Sequence, residues 1–191
     1  LFQVRLTEND PDNESAGFDN IRITARFNCP ETTDSAPTTP PQGCVTTQRL
    51  SYETFEDQSL HGWANGVITT EPNFSTFLGR YWKGNSGTTK TSTVDPSKTY
   101  NIPTTAAVAL FEFDFYEIDS WNAEYLCVII SERALRIGPF NQNSNENGIT
   151  GSGSGLSYFV RSRARPRNIG FSTAKDQIHR ITIAIPHNYY A

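Results

Sequence analysis

The chain has 191 residues, a net charge of −4 and only 19% charged residues, with 12 Phe, 8 Tyr and 3 Trp to furnish a core. That length suits one domain of ordinary size, or one and a fraction. The acidic balance disfavours a nucleic-acid partner, and no run approaches the roughly 18 apolar residues that a membrane-spanning helix needs. The single basic block, Arg161, Arg163, Arg165 and Arg167, alternates and reads as the polar face of a strand or loop. Met is absent and the chain opens on Leu1-Phe2-Gln3-Val4, which reads as a mature or excised piece of something longer.

Residues 1–6 alternate apolar and polar and predict a strand. Residues 7–16 form an acidic loop, and residues 17–27 a second strand. The two together predict a hairpin over 1–27. A lone hairpin is marginal in water, so it must pack on something. Residues 28–48 follow as a Pro/Thr-rich linker. Cys29 and Cys44 bracket its loop, and a disulfide between them is expected. Such a bridge would be worth about 3 kcal/mol in the chain-entropy account and suits an oxidising compartment. The linker resembles a mucin-like stalk with O-glycan acceptors at Thr32, Thr33, Ser35, Thr38 and Thr39, or else an unmodified semi-rigid spacer. Asn13-Glu14-Ser15 and Asn73-Phe74-Ser75 match the N-glycosylation sequon at Asn13 and Asn73. Cys127 sits in an apolar run and reads as a small buried residue.

From residue 49 to 191 the chain carries strand signals at short spacing and no helical period. Strands are expected over 50–55, 67–70, 74–82, 91–94, 100–103 and 107–116. Phe111, Phe113 and Phe115 share one face of the last of these. Residues 125–131 and 134–137 make a hairpin, 141–155 a low-complexity Asn/Gly/Ser loop, and 156–161 and 178–185 two further strands. The expected fold is all-β, a jelly-roll-like β-sandwich.

Phe55-Glu56 followed by Gly62-Trp63 resembles the opening strand of calcium-stabilised jelly-roll carbohydrate-binding modules. Phe18-Asp19-Asn20-Ile21-Arg22-Ile23 resembles their closing strand. The resemblance implies a structural Ca²⁺ shared by Glu56 and Asp19, with further oxygens available from Asp10, Asp12 and Glu14. Calcium wants several oxygens at short range, and first and last strands of a jelly roll are neighbours.

The order is inverted: the closing strand precedes the opening one. Joining residue 191 to residue 1 on paper gives one continuous domain, so the chain reads as one period of a repeat. A hairpin over 1–27, carrying Leu1, Phe2, Val4, Leu6, Phe18, Ile21 and Ile23, is therefore expected to complete a neighbouring copy by strand donation, or its own chain by permutation. Donation propagates head to tail into filaments. The expected function is a structural, non-enzymatic, glycosylated repeat of an extracellular or cell-surface filament or adhesive array, with copies of itself, head to tail, as partners. The alternative is a carbohydrate-binding module, with Trp63, Trp82, Trp121, Tyr81 and Tyr116 available to stack on sugars.

A catalytic reading is weaker. Glu112-Phe113-Asp114-Phe115-Tyr116-Glu117 resembles the Glu-x-Asp-x-x-Glu strand of laminarinase-type glycoside hydrolases. That resemblance implies Glu112 as nucleophile and Glu117 as acid/base. An ideal strand, however, points Glu117 away from Glu112. His61, His179 and His187 lack zinc spacing, and Gly151-Ser152-Gly153-Ser154-Gly155 reads as a flexible loop, not a nucleophile elbow.

Overall fold

A computed structural model describes residues 2–6, 14–28, 45–72, 74–81, 95–142, 147–163, 169 and 176–190, with the side chains of residues 2–6 and 14 outside that description. The described residues form twelve strands. These are β1 (Phe2–Leu6), β2 (Glu14–Asn28), β3 (Val45–Glu53), β4 (Ile68–Glu71), β5 (Ser75–Tyr81) and β6 (Ser97–Lys98). They continue with β7 (Val108–Asp119), β8 (Asn122–Ile130), β9 (Arg133–Asn141), β10 (Thr150–Gly153), β11 (Leu156–Ser162) and β12 (Gln177–Pro186). A single 3-10 turn, His187–Tyr189, follows.

The strands make two antiparallel sheets, a four-stranded one in the order β6-β1-β8-β9 and an eight-stranded one in the order β10-β11-β12-β7-β2-β5-β4, with β3 also on β2. β7 lies along one edge of β2 for most of its length. β5 and β3 therefore divide the other edge, β5 taking Ala16–Phe18 and β3 taking Ile21–Asn28.

Period-2 alternation explains why the sheets face each other. Phe113 pairs with Ile181, which pairs with Val160, and Ile23 pairs with Phe111, which pairs with Ile183. All six are buried, and they join Leu126, Val128, Ile130, Leu135, Ile137 and Phe140 of the small sheet in one core. Each such side chain contributes about 1.5–3 kcal/mol by leaving water. The fold is an all-β sandwich.

One polar group is enclosed with its partners. Glu53, at the end of β3, is 4% exposed. It accepts from Trp63 Nε1 at 2.7 Å, from Lys98 Nζ at 2.6 Å and from Ser51 Oγ at 2.8 Å. The ammonium and the two further donors offset the cost of burying the carboxylate. They also pin the segment between β3 and β4 to the sandwich.

The N-terminal strands depart from the expected hairpin. β1 pairs with β6 and β8 in the small sheet, whereas β2 pairs with β7, β5 and β3 in the large one. β1 and β2 therefore belong to different sheets. Phe18, Ile21 and Ile23 are 2%, 1% and 2% exposed in their own chain's core. In this single chain β1 and β2 lie in its own sheets, the placement that the permuted alternative implies. Two smaller differences concern ends of elements. Residues 150–153 of the expected 141–155 loop form β10, and residues 100–103 carry no strand while Ser97–Lys98 do.

Candidate functional site

The site begins with a bulge in β2. Phe18 and Ile21 are three residues apart yet both enter the core. The register with β7 slips between Asp19, opposite Asp114, and Arg22, opposite Glu112. Asn20 absorbs the extra residue at φ 50°, a left-handed conformation that asparagine tolerates better than most. Asp19 and Asn20 both reach the face of the large sheet that points away from the core.

A polar network grows from them. Asn20 Nδ2 donates to Asp114 Oδ2 at 2.9 Å, and Tyr52 Oη donates to Asn20 Oδ1 at 2.8 Å. Arg180 forks onto both Asp114 oxygens at 2.6 and 3.0 Å, and Arg163 Nη1 reaches the same carboxylate at 3.1 Å. Arg22 pairs with Glu112 at 2.7 Å.

Asp19 meets Glu56 through one hydroxyl. Ser75 Oγ lies 3.0 Å from Asp19 Oδ2 and 2.8 Å from Glu56 Oε1, and Thr76 N donates to the same Glu56 oxygen at 3.2 Å. One hydroxyl carries one hydrogen and cannot satisfy both carboxylates. Asp19 Oδ2 also accepts from Tyr116 Oη at 2.8 Å, and Oδ1 accepts from the Asn20 amide at 2.7 Å. Burial pushes the Asp19 carboxyl up to about 6 against those donors, with the nearby Asp114 charge adding to the rise. The Ca²⁺ expected at Asp19 and Glu56 would meet two carboxylates joined by one hydroxyl here. Two carboxylates and a hydroxyl fall short of the six to eight oxygens Ca²⁺ takes, so other oxygens would have to complete the shell. Among the described residues, no group of three or more His, Cys, Asp or Glu is placed to hold a metal ion. Asp10 and Asp12 lie outside the described residues, as does the side chain of Glu14.

Beyond this junction part of the outer face is covered by a second apolar cluster of Phe77, Tyr116, Ile118 and Ile169, and part carries polar side chains. Cross-strand pairing sets Tyr52, Arg22, Glu112, Thr182 and Phe159 in one row over β3, β2, β7, β12 and β11. Four inter-strand steps make that row about 19 Å long, the reach of a short oligosaccharide. Exposed aromatic rings end it, Tyr52 at 50% and Phe159 at 42%. The Tyr52 hydroxyl is held by Asn20, and Arg49 lies over its ring at 5.7 Å. The expected sugar platforms are elsewhere. Trp63, Trp121 and Tyr116 are 4%, 1% and 3% exposed, because the core and Asp19 claim them. Tyr81 packs on Phe18 and accepts from Val67 N, and Trp82 lies outside the described residues.

The laminarinase-like carboxylates do not converge. The β7–β12 register runs unbroken from Val108 to Glu117, so no bulge turns Glu117 toward Glu112. Glu112 and Asp114 face outward to arginines, while Glu117 faces the core and contacts His179 Nε2 at 2.8 Å. His179 Nδ1 lies 3.2 Å from Ser162 Oγ, completing a Ser–His–Glu chain, but His179 and Glu117 are both fully buried. Their enclosure offers a substrate no path to the imidazole.

Cys29, Cys44, Asn13, Asn73, Thr32, Thr33, Ser35, Thr38, Thr39 and Leu1 lie outside the described residues, and so do the side chains of Phe2, Val4 and Leu6. Cys127 is buried in β8. Among the described residues no helix is long and apolar enough to cross a membrane. The chain matches no protein-family model, no curated protein and no solved structure.

Proposed function

We propose that the chain is a non-catalytic, extracellular carbohydrate-binding β-sandwich module that uses the outer face of its large sheet. The row Tyr52–Arg22–Glu112–Thr182–Phe159 carries this reading. Aromatic rings at both ends supply platforms for the apolar faces of sugar rings, and the polar groups between them match hydroxyls. The opposed directions of Glu112 and Glu117 support a binding role over hydrolysis. The expected Cys29–Cys44 bridge and the sequons at Asn13 and Asn73 support an oxidising, extracellular setting. A structural Ca²⁺ at Asp19 and Glu56 would tie β2 to the turn after β3 without touching ligand.

A glycan array followed by calorimetry tests this. Tyr52→Ala and Phe159→Ala should each weaken binding by about two- to tenfold, in line with roughly 0.5–1.5 kcal/mol for a stacked ring, with unchanged urea midpoints. A protein that binds no glycan, or binds equally without both rings, sinks the proposal.

One observation favours a second reading, a head-to-tail array of copies. Phe2 pairs with Ile130, and the next residue, Ser131, donates from Oγ to Tyr189 O at 3.2 Å. Both ends of the described chain thus sit against the β8–β9 turn. Strands equivalent to β1 and β2, entering from a copy joined after Tyr190, would reach the same slots, and such exchange does not close. Uniform filaments in electron micrographs would support the array. A monomer at every concentration in sedimentation would remove it.

A further inference from the structure

The outer face is cationic on an acidic protein, and we infer that its ligand is an acidic polysaccharide bearing carboxylate or sulfate groups. This rests on the carbohydrate-binding reading above. Among the described residues six arginines lie at this face, Arg22, Arg26, Arg49, Arg161, Arg163 and Arg180, against four carboxylates, Asp19, Glu56, Glu112 and Asp114. The whole chain is −4, so positive charge is gathered here.

The pairing within that set is uneven. Arg180 and Arg163 divide one carboxylate, Asp114. Arg161 stands directly opposite Arg180 across β11 and β12 and is exposed. Like charges placed opposite each other destabilise a sheet, and an anion between them would reverse the sign. Phe159, two residues before Arg161 on the same strand, presents its exposed ring on the same face. A ring platform beside two guanidiniums suits a sugar whose ring carries a charged substituent, because guanidinium forks onto carboxylate and sulfate oxygens. At the other end Arg49 and Tyr52 repeat the combination. Nucleic acid offers anions too, and single-stranded DNA is therefore one arm of the test.

Affinity electrophoresis and calorimetry of the full chain decide the matter. The probes are alginate for carboxylate, dextran sulfate for sulfate ester, laminarin and dextran as neutral controls, and single-stranded DNA as a generic polyanion. Retardation by alginate, dextran sulfate or both is expected, the pattern naming the anionic group. Arg161→Gln with Arg49→Gln should weaken that binding about tenfold or more, as loss of a charged hydrogen bond does, and leave the urea midpoint unchanged. Equal binding of laminarin, insensitive to salt and to both substitutions, overturns the inference while leaving the carbohydrate reading intact. Binding of no polysaccharide overturns both. Binding of DNA as tight as that of the acidic glycans, or acidic binding indifferent to Tyr52→Ala and Phe159→Ala, reduces the face to an unspecific polyanion surface and also overturns it.

Discussion

Asp19 holds its proton far more tightly than an ordinary aspartate, because burial removes the water that would stabilise its charge. Its carboxyl moves from 3.8 to about 6. The native state therefore binds the proton more strongly than the unfolded chain. The stability this contributes is fully present below about pH 4 and is lost as pH rises through about 6. The amount is about 2–3 kcal/mol at most. Without divalent cation, the wild type should lose more stability between pH 4.5 and 7.5 than Asp19→Asn, measured as urea midpoints. A bound Ca²⁺ would favour the carboxylate and invert the trend. Added calcium should then raise the pH 7.5 midpoint of the wild type, but not of Asp19→Asn. Equal pH slopes for the two proteins would contradict the burial argument, and indifference to calcium would remove the metal from it.

Strand β2 belongs to the centre of the large sheet, with neighbours on both edges. Deleting residues 1–28 should abolish cooperative unfolding of the remainder, because Phe18, Ile21 and Ile23 leave the core together. A single large core truncation already costs about 2–5 kcal/mol. A synthetic peptide of residues 1–28 added in trans should restore the transition, and a remainder that unfolds cooperatively without it would show β2 to be dispensable. Some of this was legible beforehand. Phe111, Phe113 and Phe115 declare their shared face by alternation alone, and the same parity turns Glu117 inward. The bulge had a trace in the odd spacing of Phe18 and Ile21, which ideal alternation cannot place on one side. The assignment of β1 and β2 to different sheets left no local trace, because which sheet a strand joins is decided by distant partners such as Val128 and Phe111. The outer face escaped notice for a similar reason: Tyr52, Asp114 and Arg180 are scattered in sequence and meet only through cross-strand register.

At the scale of the whole molecule, distant points of the chain lie beside one another in two places. Asn28 pairs directly with Val45, so the intervening residues close a loop between neighbouring positions. The other two ends meet at the β8–β9 turn. A permutant that starts at Val45, joins residue 190 to residue 2 through a short Gly/Ser turn and ends at Asn28 should fold to the same sandwich. Its melting temperature should lie within a few degrees of the parent, since loop-closure entropy changes only slowly with length. An unfolded permutant would show that the 29–44 connection does more than connect.

Strand β7 carries the core on one side and the arginine partners on the other. Phe111, Phe113 and Phe115 alternate with Glu112 and Asp114 along it. For a lineage of such domains this sets unequal freedom to diversify. Tyr52, Arg49, Phe159 and Arg161 stand on flanking strands, exposed, and can be exchanged to suit a new ligand at little cost to folding. Asp114 cannot drift alone, because two guanidiniums depend on it. Novelty should therefore accumulate at the margins of the face, while its centre stays fixed as the shared grammar of every descendant.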